Sequence, residues 1–555
     1  MKKQLKQTKL SLKEFIWFGF NFVVGTTFVS SFAIVANTTT NTQGVETTGM
    51  GFWVLLVWIL EGIFAGICAL SFAKMSKYHD ASQNGASYVY SRSAFGKVTG
   101  LFVGFLQYVY IPFSLSYQIM VFIRGNFSID FIGGTSPILQ NWGVFQDLWM
   151  DLISIAVFFG CALVVMLGLR WFKKLSNATA MIKWVAFVLM IGLSVAIAAT
   201  PSSNNSTMGA DNINYWANHS KLSFDGFVKT FNACFFAFVG FELFATAGKN
   251  IQNPQKTVGK GIVIIMIVAT LFYAAFSFLF FCTTQTLWEN FNVYIWSDDT
   301  VPWLKSSSWI GLTGVIITVI SILGMRTYSY MQKSLFGGTT LQPLAYEGFF
   351  PDKFAVLNKE KLPLAASKLN LYIIGCVAFI WLIVPDIIKG SMLCYKYGMH
   401  VSNSDYSKFG VFFNMASFSS FASLIAIFIY MMVLLATLKL TREKQITANP
   451  LELIAYSITF VVLAIIFVYH YYLLIDKVVI DLTAIVVNVQ AMTKDITGAG
   501  IEFVTTFGIV IFFFCWYKWY YGRKIRTRTV NQQRKLDAPF RVLTEQEQKR
   551  MMGMQ

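Results

Sequence analysis

Apolar residues along this chain neither alternate nor recur on one helical face. They gather into long unbroken runs separated by short polar stretches. Twelve runs reach 20 residues or more, at 14–36, 50–73, 98–123, 148–169, 178–200, 225–248, 259–284, 309–332, 369–388, 410–438, 450–474 and 500–521. At about 1.5 Å per residue, each is long enough for the roughly 30 Å hydrocarbon core of a bilayer. In lipid a backbone must satisfy its own polar groups, so such runs become helices. The pattern therefore predicts an all-α integral membrane protein with 12 transmembrane helices, here numbered segments 1 to 12. The first run follows a basic stretch, 1–13. It is too long for a cleaved leader and is expected to remain as a span.

Charge sharpens this picture. With the N-terminus inside, the connecting stretches assigned to the inner face hold 32 Lys and Arg, and those assigned to the outer face hold 8. That asymmetry follows the positive-inside rule and puts both termini in the cytoplasm. Only 389–409 runs against it, with three cations. The net charge of +17 accordingly reads as membrane topology, not nucleic-acid binding. Composition agrees: 55% of residues are hydrophobic and 13% charged, against about 25% charged in soluble domains. Aromatics gather at run ends, as in Trp516-Tyr517-Lys518-Trp519-Tyr520-Tyr521, like an interfacial belt. The basic tail 522–555 reads as a solvated inner flank with an attraction to anionic lipid. Seven scattered cysteines form no CxxC pair and no metal-ligand spacing.

Two runs carry residues that an apolar helix does not need. Segment 6 contains Phe235-Phe236-Ala237-Phe238-Val239-Gly240-Phe241-Glu242, with a glycine and an acid near its middle. Segment 1 has Gly25-Thr26-Thr27 at its middle. Glycine weakens a helix, and an acid at bilayer depth costs roughly 2.5–3.5 kcal/mol on insertion scales. Paired disruptions five segments apart point to an inverted-repeat transporter, whose broken helices meet at a midplane site. Half-helix N-termini favour a carboxylate and unwound carbonyls favour an ammonium, so a zwitterion suits such a site. The alternative is that Gly25 and Gly240 are helix-packing glycines.

Gly25-Thr26-Thr27-Phe28 resembles the G-S/T-G-I element of the amino acid–polyamine–organocation permeases. Gly85-Ala86-Ser87-Tyr88-Val89-Tyr90, with Gly96, Gly100 and Gly104, is similar to their GG-x-Y-x-Y…G…G stretch. Phe235 to Glu242 followed by Asn253-Pro254-Gln255-Lys256 resembles FFAFxGFE…NPxR. Ala345-Tyr346-Glu347-Gly348, Pro351 and Phe354 resemble A-x-(E/D)-G-x-x-P-x-x-F. The four stretches stand in the family's order. The resemblance implies two inverted five-helix repeats, 14–200 and 225–438, followed by two helices in 450–521. It implies that N–H groups around Gly25, Thr26 and Thr27 hold a substrate carboxylate. Carbonyls of Phe236, Ala237 and Phe238, beside Gly240, would hold its ammonium, with the Phe236 ring as a gate. Thr27 stands where a second glycine is usual. Gly248-Lys249-Asn250 stands where many members have A-E-E, which puts inner-gate ion pairs in doubt.

Ionisable residues inside the runs are the remaining candidates. Lys183 in segment 5 either snorkels to the cytoplasm or couples transport to protons beside the segment 1 break, as a span-5 lysine does in some proton-coupled members. Glu242 either supports the broken helix or senses protons. Glu61 in segment 2 suggests a pairing role, and Arg326 an inner-face charge. Gln107, Tyr108, Ser321, Asn414, Ser417 and Ser420 are candidates to line a cavity or to bond neighbouring helices. Pro112 is expected to bend segment 3.

No HExxH, GxxxxGK[ST] or GxSxG occurs, and the four histidines lie far apart. A membrane enzyme and an ATP-driven pump are disfavoured, and no metal or cofactor is expected. The expectation is a plasma-membrane secondary transporter of amino acids, working by proton symport or amino-acid exchange. A transporter-like sensor, a polyamine or organic-cation transporter, and a channel are the alternatives.

Overall fold

A computed structural model describes residues 9–25, 39–40, 46–47, 50–80, 83–127, 143–202, 206–246, 250–283, 309–359, 361–399, 416–487 and 494–552. These are almost wholly helical. A two-residue antiparallel pairing of Thr39–Thr40 with Glu46–Thr47 is the exception. Nine described helices are long and apolar enough to cross a membrane. They fall on segments 2 to 5, 7 and 9 to 12 of the sequence reading. Segment 6 is interrupted at its central Gly240, and the described helix of segment 1 ends at Val23. Segment 8 lies in one helix, Trp309–Glu347.

Several boundaries differ from the hydropathy pattern, because helices do not stop where apolar residues stop. The expected inner loop 170–177 is helical, and only Leu167-Gly168 separates Gln146–Met166 from Leu169–Ala198. Gly168 makes this sharp turn at φ +104°, a conformation open to glycine. Trp309–Glu347 continues into the stretch assigned to the inner face, carrying Lys333 into the core, where it is buried. The outer stretch 201–224 contains a helix, Met208–His219, capped by the Thr207 side chain. The inner stretch 74–97 contains Ala86–Phe95. The helix Lys97–Phe127 runs on through Pro112.

Close packing holds the helices in register. Gly62 lies so near Thr270 that a Cβ would approach its side chain to 2.2 Å, and Gly259 meets Ala73. These small residues bring Trp53–Tyr78 against Pro254–Thr283, the way membrane helices gain van der Waals contact without a hydrophobic driving force.

Two charged clusters were not foreseen. Arg124 makes two hydrogen bonds to Asp151, at 2.8 and 2.7 Å, and pairs with Asp386 at 2.5 Å and Asp147 at 3.4 Å. Lys389 pairs with Asp147 at 2.9 Å. All five are buried. Lys389 is therefore not a free loop charge, which removes one of the three cations that made 389–409 anomalous.

The second cluster overturns the reading of the tail as a solvated flank. Asp537 pairs with Arg92 at 2.7 Å and Lys97 at 3.4 Å. Phe540 is buried, with its ring edge-on to Tyr88 and under the Arg92 guanidinium at 4.0 Å. The Leu543 amide donates to Tyr78 O at 2.8 Å. Arg528 donates to the Glu347 carbonyl. Glu347 itself accepts from Tyr521 at 2.9 Å and pairs with Arg92 at 2.9 Å. The tail thus folds across the ends of the helices it was expected merely to follow.

Candidate functional site

Segment 1 begins as a well-capped helix, Leu12–Val23. Ser11 and Glu14 form a reciprocal capping box at its start. It stops at Val24, buried in the protein interior, where φ −76° and ψ 82° leave helical geometry. A helix that ends inside a membrane protein exposes its last carbonyls, each needing a partner. The structure supplies them. Lys183 Nζ donates to Asn21 O at 3.1 Å and Val24 O at 2.9 Å. The Val23 carbonyl accepts from Tyr273 Oη at 2.8 Å and from the Gly25 amide at 2.8 Å.

Segment 6 breaks in a complementary way. The helix Phe224–Phe235 tightens into a 3-10 turn over Phe236–Phe238, and a second helix, Phe241–Thr246, follows. Gly240 sits between them at φ +125°. Its amide donates to Glu242 Oε2 at 2.9 Å, and Tyr430 donates to the same oxygen at 2.6 Å. Glu242 is buried.

The two breaks touch. The Phe22 ring lies against Gly240, where a Cβ would come within 2.4 Å of Phe22 Cε1. The Tyr273 hydroxyl is shared between Val23 O and Ala237 O, both at 2.8 Å, so one side chain ties the unwound backbones together.

Beside this junction lies a small cavity. Phe22, Val23, Gly25 and Val239 form its wall from the breaks, Tyr110 and Gln118 that from segment 3, and Met325, Arg326, Ser329 and Lys333 that from segment 8. The three polar residues of segment 8 recur at i, i+3 and i+7, one face of a helix. Lys333 donates to Ser114 at 3.0 Å. Ser329 donates to Gln118 at 2.9 Å. Arg326 donates through Nη1 to the carbonyls of Val121 and Phe122, while its buried Nε has no hydrogen-bond partner among the described residues.

The expected site residues are thus partly assembled. Gly25 lines the cavity, as does Val239, the residue before Gly240. Ala237 is buried, with its carbonyl on Tyr273, and Phe238 packs on Trp58 and Tyr273. Phe236 starts the 3-10 turn, and its side chain lies outside the described ones. Thr26, Thr27, Lys249 and Asn414 also lie outside the described residues.

Lys183 does not snorkel. It is fully buried at the C-terminal end of the first half-helix, where a cation meets the negative end of the helix dipole. Trp184 Nε1 donates to Asn21 Oδ1 at 2.8 Å and Trp17 Nε1 to Asn177 Oδ1 at 3.0 Å, fixing segment 5 against segment 1. Glu61, expected to be paired, is buried with neither oxygen hydrogen-bonded among the described residues. Gln107 and Tyr108 are buried away from the cavity lining.

The sequence reading missed Tyr110, Gln118, Ser329, Lys333 and Tyr273, and took Arg326 for an inner-face charge. The signal available was the spacing of Arg326, Ser329 and Lys333. It was hidden because hydropathy ends segment 8 at 332, one residue short of Lys333.

A sequence profile described as amino acid permease matches residues 38–529. The chain is 23% identical over 321 residues to the branched-chain amino acid permease of Lactococcus lactis, covering 56% of this chain and 64% of that protein. It is 22% identical over 341 residues to the branched-chain amino acid permease of Bacillus subtilis, covering 58% of this chain and 66% of that one. A methylthioribose transporter of Bacillus subtilis is 24% identical, covering 61% of this chain and 68% of that protein. The chain thus spans just under two thirds of the length of the two branched-chain permeases.

Proposed function

The chain belongs to the amino acid permease family, and from that premise we propose that it is a secondary transporter of amino acids working by alternating access. The observation that carries this is the junction of the two broken helices, bridged by Tyr273 and bordered by a polar-walled cavity. A helix interrupted at depth is tolerated in a membrane only where protein or a cavity satisfies its backbone. Two such interruptions facing each other offer a zwitterion amides on one side and carbonyls on the other.

In this reading the amides around Gly25, Thr26 and Thr27 receive the substrate carboxylate. The Gly25 amide is engaged by Val23 O, so loading exchanges that internal bond for one to substrate. The carbonyls of Phe236, Ala237 and Phe238 receive the α-ammonium. Tyr273 holds the breaks at their mutual distance, and Glu242 holds Gly240. Lys183 occupies the carbonyl cage at the end of the first half-helix and couples transport to protons: losing its proton removes the charge that strengthens its bonds to Asn21 O and Val24 O and so loosens the break.

The architecture proposed is twelve transmembrane helices in two inverted repeats, 14–200 and 225–438, with two further helices in 450–521. Both termini face the cytoplasm of a plasma membrane, as the cation distribution supports.

The test is uptake of a labelled amino-acid panel by proteoliposomes carrying the purified chain, with and without an imposed pH gradient or an internal counter-substrate. Saturable accumulation of at least one amino acid is expected. Absence of flux for every amino acid under all conditions would refute the proposal.

A further inference from the structure

The walls of the cavity belong to two separately packed groups of helices. Segments 1, 2, 6 and 7 form one. Gly261 meets Phe15, Gly19 meets Ile265 and Gly62 meets Thr270, while Tyr273 holds both breaks. Segments 3 and 8 form the other, joined by bonds from Ser329 to Gln118, Tyr330 to Gln118 O and Lys333 to Ser114. The helix Ala86–Phe95 packs with this second group, since Gly85 meets Pro343, Gly100 meets Arg92 and Gly104 meets Tyr88. Phe22, Val23 and Val239 line the cavity from the first group, and Tyr110, Gln118 and Ser329 from the second. Opening the cavity to either side of the membrane therefore moves one group against the other.

The tail crosses the seam between them. On the second group, Asp537 pairs with Arg92 and Lys97, Phe540 is buried against Tyr88 and Arg92, and Arg528 holds the Glu347 carbonyl. On the first, the Leu543 amide donates to Tyr78 O at the end of segment 2, and the helix Glu545–Met552 lies against Pro254–Thr283. The crossing has little slack. Three residues of chain, from Phe540 to Leu543, reach at most about 11 Å, and Arg541 is already extended at φ −78° and ψ 157°. Each side of the crossing is a built element. Thr529 with Gln532 and Thr544 with Glu547 make reciprocal caps on the two tail helices.

We propose that the tail is an autoinhibitory strap: with Phe540 and Leu543 both seated, the two helix groups cannot part at the end of the protein where the tail lies. The inference rests on the permease reading above and adds a control to it. Movement requires one anchor to let go, and Asp537 is the accessible point at which release begins, its side chain being 47% exposed.

The test is uptake by proteoliposomes carrying the full chain, unaltered or altered in the tail. Phe540→Ala and Asp537→Asn each loosen an anchor. Both are expected to raise the maximal uptake rate at least threefold with KM within twofold, because the strap opposes movement and not binding. Asp537→Glu keeps the charge and is expected to stay near the unaltered rate. A third form leaves both anchors intact and lengthens the crossing: six Gly and Ser residues inserted between Arg541 and Val542 add about 20 Å of reach. It is expected to show the same gain, which a tail that merely braces the fold would not give.

Unchanged or lower uptake in the lengthened form, with the melting temperature of the unaltered chain, overturns the strap and leaves the permease reading intact. Absence of uptake of every amino acid by every form overturns both. The lengthened form alters no anchoring side chain, so it decides the question even if Phe540→Ala does not fold.

Discussion

Gly240 carries the sixth segment through its break, and two independent constraints fix its identity. Its φ of +125° is open to glycine and strained for other residues, and the space where a Cβ would sit is filled by the Phe22 ring. Gly240→Ala is expected to destabilise the protein by about 1–3 kcal/mol, the cost of one strained backbone position. A lowered melting temperature of the purified protein, with a parallel loss of uptake, is the readout. Lys183→Ala removes the cation from the Asn21 and Val24 carbonyls. It is expected to abolish accumulation driven by a pH gradient while leaving some exchange of labelled for unlabelled substrate. Unchanged proton-driven accumulation with unchanged pH dependence would remove Lys183 from coupling. At this scale the sequence showed Lys183 and Glu242 because an ionisable residue inside an apolar run stands out. It did not show Arg326 or Lys333, because both lie near the end of such a run and look like flanking charges. Tyr273 was invisible for another reason: tyrosine is ordinary in a membrane helix, and only its distance to two carbonyls gives it a role.

Among the elements, the tail and the inner stretch 74–97 change most between sequence and structure. Polar, basic composition describes a segment that solvent can hold, but composition does not report complementary partners elsewhere. Phe540 and Asp537 find theirs in Tyr88, Arg92 and Lys97. Phe540→Ala is expected to release the tail, seen as faster proteolytic cleavage between 527 and 545, with the transmembrane helices intact. The buried cluster around Arg124 makes a second element-scale prediction. Arg124→Ala leaves three carboxylates with Lys389 alone and should cost about 3–5 kcal/mol, the penalty for breaking a buried pair from one side. His79 makes a third. It caps the helix Trp53–Tyr78 at the inner end, with its ring nitrogens on Met75 O and Ser93 Oγ. Burial lowers its pKa from 6.5 to about 4, against an opposing pull from the Met75 carbonyl. Between these values the unfolded chain binds a proton that the folded one does not. Stability is therefore flat with respect to this group above pH 6.5 and falls as pH drops toward 4, by up to about 3 kcal/mol. Thermal unfolding of the purified protein across pH 4–7 measures that slope, and His79→Gln should reduce it.

For the whole molecule, the distribution of cations argues that both ends of the chain share one side of the membrane. A single cysteine placed at position 530 in a cysteine-free variant should react with a membrane-impermeant reagent in inside-out vesicles and remain protected in intact cells. The opposite pattern would invert the proposed topology. The two helix breaks and the cavity lie together because chain segments far apart in sequence pack at one depth. Phe22 meets Gly240, 218 positions further along the chain, and Tyr273 reaches back to Val23.

By itself the sequence determined that this chain lies in a membrane, where most of its helices run, and where segment 6 breaks. Each of these follows from local physics: apolar length against bilayer thickness, and glycine against helix propensity. The tertiary structure alone decided what the breaks touch, which buried charges pair, and that the tail is bound. Those depend on distances between residues remote in the chain, and a charge has no partner until packing brings its neighbours to it.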